Sequence, residues 1–176
     1  MKRGAVTSST DRPGWLLKRA QDALNAAMTT ALRPHGASLP EYAVLTALAE
    51  EPGLSNADLA RRAFVTPQTM NQVLRELEHR GWVSRHPHPE HGRILQAELT
   101  GPGRQALGPC HQAVGAVEEQ MLAGLSPPER RQLAAALRSC IAGLSAVLAG
   151  RGVGQPRVKG SRVSPLSSTH TDLFSV

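Results

Sequence analysis

The chain has 176 residues, of which 40% are hydrophobic and 19% are charged. These values are typical of a soluble globular protein with a packed core. No apolar stretch approaches the roughly 20 residues that a membrane-spanning helix needs, so we expect no membrane partner. The net charge of +6 favours a polyanionic partner, with a membrane surface or a purely solvated role as the alternatives. The two cysteines, Cys110 and Cys140, lack CxxC spacing, which favours a reducing cytoplasm.

The first third of the chain predicts two helices. Residues 1–10 are small and polar, and we expect disorder there without a secretion signal. Apolar positions recur at helical spacing from Trp15 to Leu32. Ser38 and Glu41 have the spacing of a capping box, in which each side chain accepts from the other residue's backbone N–H. They predict the start of a second helix, which ends at Pro52-Gly53.

Two shorter helices follow, joined by a tight turn. Ser55 is a predicted cap of the third helix, and Phe64-Val65 form the turn. Thr66 followed by Pro67 is a strong start signal for the fourth helix, which is predicted to run to Arg80. Its apolar residues fall on one stripe, with the i, i+3, i+4, i+7 spacing that faces a core: Met70, Val73, Leu74 and Leu77.

A β-hairpin and two long helices complete the pattern. The hairpin strands are predicted from Trp82 to His86 and from Arg93 to Leu99, and they must pack on the helices because a lone hairpin is marginal in water. Thr100 is a predicted cap of a helix to about residue 123, with a bend or soft point at Gly108-Pro109. Ser126 to Glu129 form another capping box.

The last helix, to about residue 149, has a continuous apolar stripe: Leu133, Leu137, Ile141, Leu144 and Leu148. Residues 150–176 are rich in Gly, Ser, Pro and basic residues, so we expect a disordered basic tail. The order of elements predicts a mainly α fold with a small β-hairpin wing, the winged helix-turn-helix.

The fourth helix is the predicted recognition helix. The face opposite its apolar stripe carries amide, hydroxyl and guanidinium groups. Such side chains can pair with adenine and guanine edges or touch the thymine methyl in the major groove. A solvated surface helix is the alternative interpretation. The predicted DNA-reading residues are Gln68, Thr69, Asn71, Gln72 and Arg75.

Residues around this helix are predicted to contact the DNA backbone or the minor groove. Ser55, Asn56 and Arg61 lie at or near the third helix, where they could bind phosphates, and Thr66 precedes the recognition helix. For Arg61 alone, a solvated position is the alternative. Arg93 follows the hairpin turn, where a cation could enter a narrow minor groove.

The segment Leu77–Arg85, with sequence LEHRGWVSR, resembles the signature Leu-Glu-x-x-Gly-Leu-(Val/Ile)-x-Arg of the multiple antibiotic resistance regulator (MarR) family. Pro89–Arg93, Leu99-Thr100 and Gly103 are similar to the family's wing and to the start of its dimerisation helix. The resemblance covers roughly residues 15–149. The family carries an acid shortly before its wing arginine, where this sequence has histidines flanking a single glutamate.

The resemblance implies a homodimeric repressor that binds double-stranded DNA at a near-palindromic operator and responds to a small-molecule effector. Residues 11–36 and 101–149 would form the dimerisation region, and residues 38–100 the DNA-binding lobe. An effector pocket would be framed by four residues on these helices, for which core packing is the alternative: Trp15, Met28, Tyr42 and Met121.

Other functions find less support in the sequence. We expect no cofactor and no enzyme activity, because the chain lacks a phosphate loop, HExxH and GxSxG. A winged-helix module that docks a protein is the alternative to DNA binding. We expect the wing histidines to be exposed and to form no metal site, with a metal site or a charge switch as the alternatives. Both cysteines, Cys110 and Cys140, are expected to be buried and inert, and Cys110-His111 is not expected to form a dyad. The wing histidines are His79, His86, His88 and His91.

Overall fold

The structure is a computed structural model that describes residues 11–88 and 95–150, with side chains to residue 148. The predictions for residues 1–10, for the wing tip with Arg93 and for the tail lie outside these ranges. The elements in chain order are α1 (Pro13–Leu32), one 3-10 turn (Arg33–His35), α2 (Leu39–Glu50), β1 (Leu54–Ser55), α3 (Asn56–Arg62), α4 (Pro67–His79), β2 (Val83–Pro87), β3 (Leu95–Leu99), α5 (Gly101–Leu122) and α6 (Pro127–Gly150).

Contacts divide the chain into two compact units, Met1–Met121 and Leu122–Val176. The first unit therefore holds all of the elements from α1 to nearly the end of α5, and the second holds α6. In the described ranges, no helix has the length and apolarity to cross a membrane.

The predicted helix starts are confirmed by their caps. The Ser38 backbone N–H donates to the Glu41 carboxylate at 2.7 Å, and the Glu41 N–H donates to the Ser38 hydroxyl. Ser55 and Asp58 form a second capping box at α3, and the Thr69 N–H donates to the Thr66 hydroxyl at 3.1 Å at the start of α4. Each cap stabilises its helix by about 1 kcal/mol.

The predicted hairpin is part of a three-stranded antiparallel sheet in the order β1-β3-β2. The short strand β1 was not predicted: Leu54 pairs with Ala97 on one side of β3, while Arg85 pairs with Ala97 on the other. The Gly53 N–H also donates to the Ala97 carbonyl, at 3.0 Å. The wing base is therefore attached to the chain just before α3.

The core of the first unit surrounds α2, which is packed by α1, α3, α4 and β3. This helix is buried on most of its surface rather than along one stripe, and its buried residues include Val44, Leu45 and Leu48. The inner face of α4 agrees with its prediction, since Met70, Leu74 and Leu77 are buried and Val73 is half-buried. This burial fixes which side of α4 faces outward.

Several predicted apolar stripes are exposed in the single chain. The Trp15 side chain in α1 is 50% exposed, and only Met28 and Leu32 of that helix are buried. The α6 stripe is exposed along its length: Leu133, Leu137, Ile141, Leu144 and Leu148.

Of the two cysteines, Cys110 is buried as expected, but Cys140 is exposed, so the prediction of a buried thiol was wrong for Cys140.

A buried ion pair joins α2, α4 and the wing. Glu41 is only 7% exposed, and its second carboxylate oxygen accepts from Arg80 Nη1 at 3.1 Å. The Arg80 guanidinium also lies over the Trp82 ring, with its central carbon 3.5 Å from the ring centroid. Hydrogen bonds from Ser38 and Arg80 therefore satisfy a carboxylate that would be costly to bury alone.

The start of α5 packs directly on the same tryptophan. The Thr100 hydroxyl is 2.7 Å from the Gly81 carbonyl oxygen and 3.0 Å from that of Trp82, and it accepts from the Gly103 N–H. A Cβ on Gly103 would lie 2.0 Å from the Trp82 carbonyl oxygen. Only glycine therefore fits at this contact.

We predict that Gly103→Ala destabilises the protein by about 1–3 kcal/mol, because backbone must shift to admit the methyl group. The matched control is Gly115→Ala in the same helix, where a Cβ meets nothing within 4 Å. That change should stabilise by about 0.5–1 kcal/mol, since alanine favours a helix over glycine. Urea unfolding measures both; an unchanged midpoint for Gly103→Ala would contradict the close contact.

Candidate nucleic-acid interface

The turn between α3 and α4 is a Schellman motif, the paired hydrogen bonding that often ends helices. The Phe64 N–H donates to the Arg61 carbonyl at 3.3 Å, and the Val65 N–H donates to the Ala60 carbonyl at 3.0 Å. Phe64 has a left-handed φ of +53°. That conformation costs an ordinary L-residue roughly 1–2 kcal/mol, and it directs the chain into the start of α4.

The outer face of α4 carries the predicted base-reading side chains. Gln68, Thr69, Gln72 and Arg75 are exposed, and Asn71 is half-buried. The opposite face is anchored in the core, so these groups point away from the first unit's interior. Amide and guanidinium groups on the N-terminal half of such a helix have the donors and acceptors that base edges require.

The side chains predicted to bind phosphates differ in what they can do. The Ser55 hydroxyl is 2.5 Å from an Asp58 carboxylate oxygen and serves as a helix cap. The Asn56 amide donates to the Pro67 carbonyl at 3.2 Å, which ties α3 to α4. Arg61 pairs with Asp58 but remains 70% exposed, so its guanidinium could also reach a phosphate.

The Thr66 hydroxyl accepts from the backbone of Thr69 and lies 2.9 Å from its hydroxyl, while both residues remain exposed. Between Asp58 and Glu76 the sequence contains no carboxylate, while Arg61, Arg62 and Arg75 are cationic. Arg62 is held in an ion pair with Glu51. A polyanion approaching this surface therefore meets no negative charge from the turn or from most of α4.

Polar side-chain contacts link the base of the wing to α4 and join its two strands. Arg85 forms an ion pair with Glu78, and His86 Nε2 lies 3.4 Å from Glu98 Oε1 across the two strands. Arg93 and His91 are outside the described residues. Within residues 11–88 and 95–150, no three potential metal ligands come together.

The four residues predicted to frame an effector pocket differ in exposure and are not all part of the groove between α1 and α5. Met28 and Tyr42 are buried, whereas Trp15 and Met121 are half exposed. Of the four, only Met121 lines an apolar groove of about 500 Å³ between α1 and α5. The groove is also lined by Ala20, Ala23, Leu24, Ala27, Ala116, Val117 and Gln120.

Tyr42 is instead bonded to α5. Its hydroxyl lies 2.7 Å from His111 Nδ1, and the two rings meet edge to face. Burial raises the pKa of the Tyr42 hydroxyl, and burial also raises the pKa of the Cys110 thiol. The thiol therefore stays protonated near neutral pH, and the neighbouring imidazole is directed to Tyr42.

Two features of this region were not predicted from the sequence. Phe64 was assigned only to a turn, although its exposed ring stands at the edge of the candidate interface. Glu41 was identified only as a cap, although it also binds Arg80. The first could be found from the helix end before Thr66, where a residue with positive φ is common; the second has no local sequence signal.

Comparison with known proteins identifies relatives of this chain. The sequence model of the protein family described as MarR family matches residues 35–94 of this chain. The HTH-type transcriptional repressor Rv2887 of Mycobacterium tuberculosis strain H37Rv is 44% identical over 119 residues, which are 68% of this chain and 86% of the relative.

Crystal structures of the M. tuberculosis MarR family protein Rv2887 match the fold as well. The complex with DNA is 39% identical, covers 73% of this chain and 97% of that chain, and has a TM-score of 0.62. The complex with salicylic acid is 40% identical, covers 76% and 99%, and has a TM-score of 0.64. With the winged helix-turn-helix described above, these matches establish that the chain belongs to the MarR family of transcriptional regulators.

Proposed function

We propose that the protein is a dimeric, sequence-specific DNA-binding repressor that is released by a small organic effector. The observation that carries this proposal is the two-sided character of α4. Met70, Leu74 and Leu77 anchor one side, and the amide-rich side is open to solvent. A helix held in this way can enter the major groove and present Gln72 and Arg75 to base edges.

The remaining DNA contacts are proposed from the places of these residues in the sequence and around α4. Arg61 binds a phosphate beside the groove, and Thr66, Gln68 and Thr69 lie at the entry of the helix. Ser55 and Asn56 support this arrangement mainly by fixing α3 and its connection to α4. Arg93, at the wing tip, enters the adjacent minor groove as the resemblance implies.

The dimer is formed by residues 11–36 and 101–149. Large apolar side chains on these helices are exposed in the single chain, including Trp15 in α1 and Leu144 in α6, which is 60% exposed. Contiguous apolar faces that a single chain leaves exposed mark protein interfaces. Two subunits then place two recognition helices on half-sites about one helical turn apart, which makes a near-palindromic operator.

The effector is proposed from the relative that was crystallised with salicylic acid. The effector acts by binding one arrangement of the dimer more tightly than the other, and its leverage equals that difference in affinity. We propose that small aromatic carboxylates bind beside the dimerisation helices and weaken DNA binding. Trp15, Met28, Tyr42 and Met121 remain the candidates for lining that site in the dimer.

DNA selected from a random-sequence pool by the purified protein tests sequence reading. Gln72→Ala and Arg75→Ala should each lose about 1–3 kcal/mol of preference for the selected duplex over a scrambled one, because base-edge hydrogen bonds are removed. Gln105→Ala, an exposed glutamine on α5, is the matched control and should keep the preference. Titrations by fluorescence anisotropy provide the affinities.

Arg61→Ala should instead weaken both duplexes alike and reduce the slope of log affinity against log salt by about 0.9, because one phosphate contact is lost. A wild-type salt slope near zero would contradict DNA binding and favour the protein-docking module. Equal wild-type affinity for selected and scrambled duplexes would contradict sequence reading.

Leu144→Glu should shift the protein from dimer to monomer, since a carboxylate would be buried without a partner at the subunit interface. Ser139→Glu places the same charge on the opposite side of α6 and should leave the dimer intact. Sedimentation equilibrium measures both masses. A wild-type protein that is monomeric at every concentration would contradict the dimer.

Salicylate should lower the affinity for the selected duplex about tenfold at saturation, which is within the usual range of coupling free energies. Sodium chloride at equal ionic strength is the necessary control, because DNA binding weakens with salt. If salicylate has no more effect than chloride, the effector assignment fails while the DNA-binding assignment stands.

A further inference from the structure

Three turns in the first unit have the same backbone geometry but not the same residue type. At Gly36, Phe64 and Gly81, φ is +68°, +53° and +66°. In each turn, this residue and the next donate N–H groups to carbonyls three and five residues back. Glycine is the usual residue here because it has no Cβ to clash. Phe64 therefore stands where the chain elsewhere uses glycine.

The Phe64 ring gains no packing within the described chain that would offset this strain. Phe64 is 94% exposed, whereas Ala63 and Val65 on either side are partly buried against the core. The Asn56 side-chain amide donates to the Pro67 carbonyl and so connects the two sides of the turn. Together with the two backbone hydrogen bonds, this bond keeps the backbone in its left-handed conformation while the ring stays exposed. Strain maintained by its surroundings is a pointer to function.

The position of the turn indicates what the ring meets. In a helix-turn-helix, the first helix crosses the DNA backbone and the second enters the major groove. Phe64 joins the two helices, so it lies at the edge of the groove, where deoxyribose carbons are exposed. The flanking sequence favours a polyanion such as DNA over an apolar protein, since residues 59–75 contain three arginines, no carboxylate and many exposed amide and hydroxyl groups.

We propose that the Phe64 ring packs against a deoxyribose of the DNA backbone and thereby sets the depth at which α4 enters the groove. This inference rests on the proposed function. The contact is apolar and adds affinity on any sequence, as backbone contacts do. It displaces no counterion, so it leaves the salt dependence unchanged.

Phe64→Gly tests the proposal because it should improve folding and impair binding together. We expect the affinity for both the selected and the scrambled duplex to fall about tenfold, about 1.4 kcal/mol, with the same salt slope as wild type. The melting temperature of the free protein should rise by about 2–4 °C as strain is removed. Phe64→Tyr keeps the ring and should restore wild-type affinity without the rise in melting temperature.

The outcomes separate the inference from the proposed function. Wild-type binding with unchanged affinity in Phe64→Gly would refute the inference alone and would favour a protein partner for the ring. A loss confined to the selected duplex would refute the sugar contact in favour of base reading. A lower melting temperature for Phe64→Gly would show that the ring stabilises the folded protein, which also refutes it. Wild-type protein that binds neither duplex would refute both.

Discussion

The Glu41–Arg80 ion pair is the interaction on which the position of the recognition helix depends. A buried carboxylate must be satisfied on both oxygens, and here Ser38 supplies one side and Arg80 the other. Glu41 thus takes part in the cap of α2 and also binds Arg80 at the end of α4. Stacking of Arg80 on Trp82 extends the constraint to the residue before β2. The start of α2, the end of α4 and the root of the wing are thereby fixed to one another.

Trp82 also fixes the start of α5. Its carbonyl lies beside the Thr100 hydroxyl, and the missing side chain of Gly103 allows α5 to approach it. The orientation of α4 is therefore fixed relative to α5, which is part of the proposed dimerisation region. Rigid connections of this kind let a small change between subunits become a change in the spacing of two recognition helices. The turn at Phe64 is also held by hydrogen bonds, but its ring is exposed, and the contact proposed for it lies outside the chain.

Local signals predicted most of the fold. Hydroxyl caps at Ser38, Ser55 and Thr66 located three helix starts, because capping depends on residues only three positions apart. The apolar stripe of α4 also predicted which face is buried. Contacts between distant residues left no such signal: β1 is two residues long and exists only because β3 pairs with it, and Arg80 reaches Glu41 from 39 positions away. The four effector-pocket residues were predicted for a site in a dimer. In the single chain, two of them are buried and two are half exposed, so the predicted pocket is not tested.

The bond between Tyr42 and His111 gives α5 a second point of attachment. The Tyr42 hydroxyl lies 2.7 Å from His111 Nδ1, and the two rings meet edge to face. Gly103, at the first attachment, and His111 are eight residues apart, so the two contacts lie about 12 Å apart along the helix axis. A helix held at one point can pivot about it, whereas a helix held at two points moves with its support. We therefore expect the first half of α5 to follow α2 and Trp82 as one rigid piece.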